Sequence, residues 1–279
     1  MKGHNDELHG AIWLAIEHFT RHIDGVLWKR WDAWARNHEE REVHEVIGAF
    51  LSRQVTLTAE LARNPGVWND YVAPLILRPM VEVLITVAWI LGDPPERSKR
   101  FILYGLGQEK LLLEHLKARL AERGIDPNQD QDFQELERWL IAQRYSHLTE
   151  VNVGDWAGVN LREMADETGH LDIHRIDYAR WSGATHNMWP HLVRFNLQQC
   201  QNALHGFHRV PLVLRMSQDP YYLQWAAECL DKTFALFDEK TGVQVDGPTA
   251  VEILDQELLR VPFPKDNYEQ SSSDIQDLG

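Results

Sequence analysis

The chain has 279 residues, of which 44% are hydrophobic and 25% charged, so one large helical or mixed domain with a real core is within reach. A formal net charge of −14 excludes broad electrostatic capture of DNA or of an anionic membrane, while leaving room for a local basic pocket. Two cysteines, Cys200 and Cys229, are too few for a disulfide framework. No secretory signal pattern and no charge-free run of about 20 residues is present, and the expectation is a soluble cytoplasmic protein without a membrane span.

In chain order, Ile12, Ile16, Phe19, Ile23, Leu27, Trp31 and Trp34 step by three or four and predict one long amphipathic helix. Val43, Val46, Ile47, Phe50, Leu57 and Leu61 predict a second. Residues 68–91 form a third helical region that Pro74 and Pro79 start or kink, and its apolar run from Pro79 to Leu91 reads as a buried core helix. Asp93-Pro-Pro-Glu96 is a helix start, with a stop at Gly124. Phe133, Leu136, Leu140 and Ile141 mark a fifth helix.

Residues 149–160 read as a loop, and Asn160-Leu-Arg-Glu163 caps a short helix ended by Gly169. Asp172 is expected to cap the next helix. Residues 194–214 are ambiguous, with Val210 to Leu214 open to an extended form. Asp219-Pro220 starts a long helix that Gly242 ends. Strict alternation is otherwise missing, so the fold class is all-α: a multi-helix bundle of long amphipathic helices with no substantial sheet. Residues 1–267 are expected to form a single domain, and 268–279 a flexible acidic tail.

The chemistry-bearing pattern lies in Tyr178-Ala-Arg-Trp-Ser182-Gly-Ala-Thr-His186. At about 100° per residue, Ser182 and His186 share a face, with Tyr178 about 80° from His186. A phenol, a hydroxyl and an imidazole along one stripe face either water or a polar pocket. Arg78 and Glu82 form a second pattern, because Glu82 is the only charge between Pro79 and Leu91 and Arg78 precedes it by one turn. The pair is either a structural clamp or a carboxylate orienting Arg78 towards an anion. Arg97, Arg100 and Tyr104 on the next helix are candidates to lie beside Glu82 in a helical hairpin.

The run Arg-x-x-x-Glu, Asp-Pro, Arg-x-x-Arg-Phe-x-x-Tyr, followed by Leu161-Arg-Glu-Met-Ala165 and Tyr178-x-x-x-Ser182-x-x-x-His186, resembles a bacterial family of helical proteins of unknown function. The resemblance spans residues 68–192 and implies Arg78, Glu82, Tyr104, Tyr178, Ser182 and His186 as a recurring set. More distantly the chain resembles the HEPN helical superfamily, through Arg180-Trp-Ser-Gly-Ala-Thr-His186. That resemblance implies a HEPN-like core, a homodimer, and a metal-independent ribonuclease in a defence or toxin role. His186 would be the general acid or base and an arginine would hold the phosphate. In an unbroken helix Arg180 lies about 120° from His186, so Arg78 and Arg175 are equal candidates for that arginine, and pairing Arg180 with His186 needs a break at Gly183.

No cofactor and no metal is expected: His-Glu-x-x-His is missing, and neither cysteine has a Cys or His neighbour at zinc spacing. Gly105 and Gly107 are expected to mark close helix packing. RNA or a nucleotide is the expected partner of the ribonuclease reading, with Trp28, Trp31 and Trp34 available for a homodimer interface. The alternative is a non-catalytic helical module that binds a small anionic ligand or a partner protein, with Arg78–Glu82 structural. A third class is a hydrolase or transferase acting on a small anion.

Overall fold

The computed structural model describes residues 2–34, 39–143 and 156–261, with side chains from residue 10 onward. Its helices are α1 (Lys2–Ala33), α2 (Arg41–Arg63), α3 (Ala73–Ile90), α4 (Pro94–Glu122), α5 (Gln131–Ile141) and α6 (Leu161–Glu167). A composite helix follows: α7 (Leu171–Ile173), a π turn (His174–Tyr178) and α8 (Ala179–Thr185). Then come α9 (Trp189–Phe195), strands β1 (Leu197–Gln199) and β2 (Arg209–Pro211), α10 (Tyr221–Thr241) and α11 (Ala250–Leu259). The chain is therefore all-α, with a single antiparallel hairpin of two short strands among the described residues.

Helix ends follow their local chemistry. Asn160 with Glu163 and Thr249 with Glu252 form complete capping boxes. Gly124, Gly169 and Gly242 adopt positive φ where α4, α6 and α10 stop. Asp219 accepts from the Tyr221 amide at the start of α10. Asp93 holds the cap position of α4 as expected, without a side-chain hydrogen bond. One expectation needs correction: Asp172 lies inside the first turn of α7, where His170 is the cap residue. The ambiguous stretch from 194 resolves into the end of α9 and the hairpin. The expected acidic tail, and the part of the expected loop before residue 156, lie outside the described residues.

α3 is the centre of the fold. It is long and apolar enough to cross a membrane by length and composition, yet 72% of it is buried, as a core helix requires. α10 and α2 pack along it, α1 packs on α2 and α11, and α6 and α8 cover another side of α3. Phe19, Ile47, Leu51, Leu77, Leu84 and Phe237 are fully enclosed in the interior. A satellite cluster of Leu106, Leu113, Leu120, Phe133 and Leu140 joins α4 to α5.

Polar pins fix the register. Arg30 of α1 makes a bidentate pair with Asp238 of α10, the closest contact being 2.8 Å. Asp231 of α10 accepts from the amides of Ala250 and Val251 at the start of α11, and burial pushes its carboxyl above the ordinary range.

The glycines differ in their surroundings. A methyl at Gly48 would lie 2.7 Å from the Trp31 ring, so this glycine admits the tryptophan between α1 and α2. A methyl at Gly105 meets nothing within 4 Å, contrary to the close packing expected there. Gly105→Ala should therefore stabilise the chain by about 0.5–1 kcal/mol through backbone entropy. Gly48→Ala should destabilise it by about 1–3 kcal/mol through overpacking. Paired urea denaturation curves check the opposite signs.

Candidate functional site

Arg78 projects from the middle of α3 and is the hub of the polar cluster. Its Nη2 lies 3.1 Å from Glu82 Oε1, one turn along the helix, and donates to the Tyr178 hydroxyl at 2.6 Å. Its guanidinium carbon sits 4.8 Å from the centre of the Tyr178 ring. Tyr178 in turn stacks on His174, with ring centres 4.9 Å apart and planes within 19°. Arginine, phenol and imidazole thus form a continuous column between α3 and the composite helix.

A π turn adds a residue to the helix and so rotates the side chains it carries, and such turns recur at functional sites. Here it spans the five residues from His174 to Tyr178 and carries both rings of the column. Two buried polar atoms of the column, Arg78 Nε and His174 Nδ1, have no hydrogen-bond partner among the described residues. Burial holds the His174 imidazole below the ordinary value of 6.5, and the charges of Arg162 and Arg175 push in the same direction. Both arginines are exposed, and their charges reach His174 in a chain of net charge −14.

His174 is neutral in the fold, and the unfolded chain takes up its proton first as the pH drops below 6.5. Its contribution to stability is present above that pH and is lost on acidification through the depressed folded value. His191 acts in the same sense through burial, against the opposing charge of Asp70. His174→Gln should flatten the decline of the urea midpoint between about pH 7 and pH 5. An unchanged slope would remove His174 from the titrating set.

The structure brings together Arg78, Glu82 and Tyr178 from the expected residues and disperses the others. Ser182 is buried and donates to the Tyr178 carbonyl at 2.8 Å, a bond within the helix. His186 is exposed and ends α8. The following Asn187 takes φ 51°, and the Met188 amide bonds back to the Gly183 carbonyl. Among the described residues the His186 imidazole makes no hydrogen bond or ion pair. α8 runs unbroken through Gly183, so Arg180 keeps its angular separation from His186. Its guanidinium covers the rings of Trp181 and Trp225 at 5.0 and 5.3 Å. Arg175 stands exposed on the π turn.

The arginines of α4 have structural partners elsewhere. Arg97 lies 3.8 Å over the Trp89 ring and pairs with Glu167 of α6, which also accepts from the Trp89 indole. Arg100 donates to the Ala157 carbonyl and to Glu96. Tyr104 is half-buried and, among the described residues, makes no hydrogen bond to Arg78 or Glu82. Of the tryptophans considered for a dimer interface, Trp34 packs edge-on against Phe237, and Trp31 fills the space over Gly48. Trp28 remains 55% exposed on the rim of a 440 Å³ cleft between α1 and α2. A larger cavity of 680 Å³ lies between Tyr71, Phe195 and the segment after β2.

Two groups of residues were not assigned from sequence. His174 stands one helical turn before Tyr178, a spacing that was available, but its place beside Arg78 depends on how the composite helix packs against α3. Cys200, His205 and His208 converge in the hairpin loop, with all three ligand atoms within 4.8 Å of one another. The expectation that neither cysteine has a histidine partner is thereby corrected: Cys200 Sγ lies 3.7 Å from His205 Nδ1.

Fold and site define a helical bundle with an arginine–tyrosine–histidine column at one side of its central helix. The chain belongs to the family of unknown function DUF5677, whose profile matches residues 44–203. That match takes in α2 and reaches into the hairpin loop, beyond both ends of the resemblance seen in the motifs. No curated protein and no solved structure matches the chain significantly.

Proposed function

We propose that this chain is a helical binding module for a small phosphate-bearing ligand, taken up at the Arg78–Tyr178–His174 column. The observation that carries the reading is the column itself, with two buried unpartnered nitrogens and two exposed arginines whose charges reach His174. Arginine offers fixed paired donors to phosphate, and a neutral imidazole that gains a proton on binding adds charge complementarity. Glu82 orients Arg78, which fits the structural part of its role. Binding would depend on salt, because the exposed arginines act through a screened field.

The test uses titration calorimetry of the purified chain with inorganic phosphate, nucleotides and a short RNA at two salt concentrations. Arg162→Ala with Arg175→Ala is the informative variant, because both side chains are exposed and the fold should survive. We expect the double variant to bind at least about tenfold more weakly, the equivalent of about 1.4 kcal/mol. Equal affinity in wild type and double variant would overturn the site.

The HEPN-like ribonuclease reading, in a defence or toxin setting and as a homodimer, rests on exposed His186. It predicts RNA cleavage in EDTA that leaves 2′,3′-cyclic phosphate ends and disappears in His186→Ala. Binding without cleavage selects the module. Cleavage that depends on His186 selects the enzyme.

A further inference from the structure

The hairpin loop between β1 and β2 carries a second constellation, independent of the column. Cys200 follows the last residue of β1, and its amide bonds to the His208 carbonyl at 2.9 Å, closing the loop immediately beyond the Gln199–Arg209 register pair. Inside, the His205 amide bonds to the Asn202 carbonyl and the His208 amide to the His205 carbonyl. Asn202 also accepts from the Leu204 amide through its side chain. These turns set the directions of three side chains at once. The thiol of Cys200 and the imidazoles of His205 and His208 point into one small space, with imidazole centres 5.4 Å apart.

We infer that this loop is a metal site, with Cys200, His205 and His208 as three ligands of a Zn²⁺ ion and water in the fourth position. The donor set decides the metal. One soft thiolate with two imidazoles suits zinc, whereas magnesium and calcium need oxygen ligands. Distances agree with this. Tetrahedral zinc, with bonds of about 2.3 Å to sulfur and about 2.0–2.1 Å to nitrogen, separates S from N by roughly 3.6 Å. The observed Sγ to Nδ1 separation is 3.7 Å. The third ligand is within 4.8 Å, a gap that rotation of an exposed imidazole closes.

A structural interpretation without metal explains less. His205 and His208 are both exposed, the neighbouring Leu204 and Phe207 are 91% and 98% exposed, and among the described residues no apolar core holds the loop in shape. Phe207 also takes φ 60°, a conformation that a non-glycine residue adopts at a cost. A metal bridging positions 200, 205 and 208 would supply the cross-link that hydrophobic burial does not. Binding releases the thiol proton and leaves Cys200 as a bound thiolate, with no change of oxidation state.

The experiment titrates Co²⁺ into the full chain, tag-free and stripped with a chelator that is then dialysed away. One equivalent of Co²⁺ should produce tetrahedral d–d bands and a thiolate-to-cobalt charge-transfer band, and Zn²⁺ should displace it. Cys200→Ser should abolish the charge-transfer band. His205→Ala and His208→Ala should each weaken zinc binding by more than the roughly 10–100-fold typical of losing an outer-shell partner. Circular dichroism should show unchanged helix content in all three, since the loop is outside the core. Absence of a charge-transfer band in the wild type would overturn the site, as would its survival in Cys200→Ser. Phosphate affinity at the column should not change with these variants, which keeps this result separate from the reading above.

Discussion

Replacing Arg78 with alanine is expected to lower the unfolding free energy by about 2–3 kcal/mol and, under the proposed binding role, to abolish phosphate binding. The Arg78 side chain is only 15% exposed, and its removal leaves Glu82 without its cation and the Tyr178 hydroxyl without its donor. Breaking a fully buried pair costs about 3–5 kcal/mol. A surface pair contributes about 0–1 kcal/mol. Glu82 lies between those limits, because 39% of its side chain reaches water and the stranded carboxylate is partly re-solvated. Lost packing of the guanidinium on the Tyr178 ring adds a further fraction. Urea denaturation measures the stability change. Calorimetry with Arg78→Lys, which keeps the charge but loses the fork geometry, separates folding from binding. A loss below about 0.5 kcal/mol in Arg78→Ala would show that the column does not hold α3 to the composite helix.

The second large effect is expected at Gln54, a fully buried amide in the centre of the bundle. Its Nε2 donates to the Met80 carbonyl of α3 at 3.0 Å and to Thr233 Oγ1 of α10 at 2.8 Å, so one side chain from α2 joins three helices. Gln54→Ala removes these two bonds, at roughly 1 kcal/mol each, together with a longer contact to Cys229 Sγ at 3.5 Å. It also opens a cavity, and the total should come to about 3 kcal/mol. Gln54→Met fills nearly the same volume without polar atoms. It also removes Oε1, a buried acceptor with no partner among the described residues. Its cost should therefore stay below about 1.5 kcal/mol. Equal losses in the two variants would mean that the hydrogen bonds, rather than the volume, hold this position.

How far the sequence could be read depended on the range of the forces involved. Helix positions were legible because apolar spacing and end signals act within a few residues. The Asn160–Glu163 box, Gly124 and Gly242 all lie where their chemistry puts them. The Arg78–Glu82 pair was legible for the same reason, being one turn apart on a single helix. Asp172 misled, because an acidic residue favours the first turn of a helix as well as its cap, and here it occupies the turn.

Sequence by itself determined an all-α chain, the limits of its main helices and the polar nature of one side of α3. Only the tertiary structure decided which polar groups meet. Tyr178, Ser182 and His186 follow one another at α spacing through α8, but packing against α3 joins Tyr178 to Arg78 and leaves Ser182 and His186 out of the column, while Tyr178 stacks on His174 within the composite helix. Ser182 satisfies its hydroxyl within its own helix, and His186 is carried to the surface by the turn at Asn187. Cys200 meets its histidines because two short strands pair in one register, which residue spacing does not encode. Helices form from contacts between near neighbours in the chain, but a site forms where separate elements are pressed together, and that is set by the burial of the whole core.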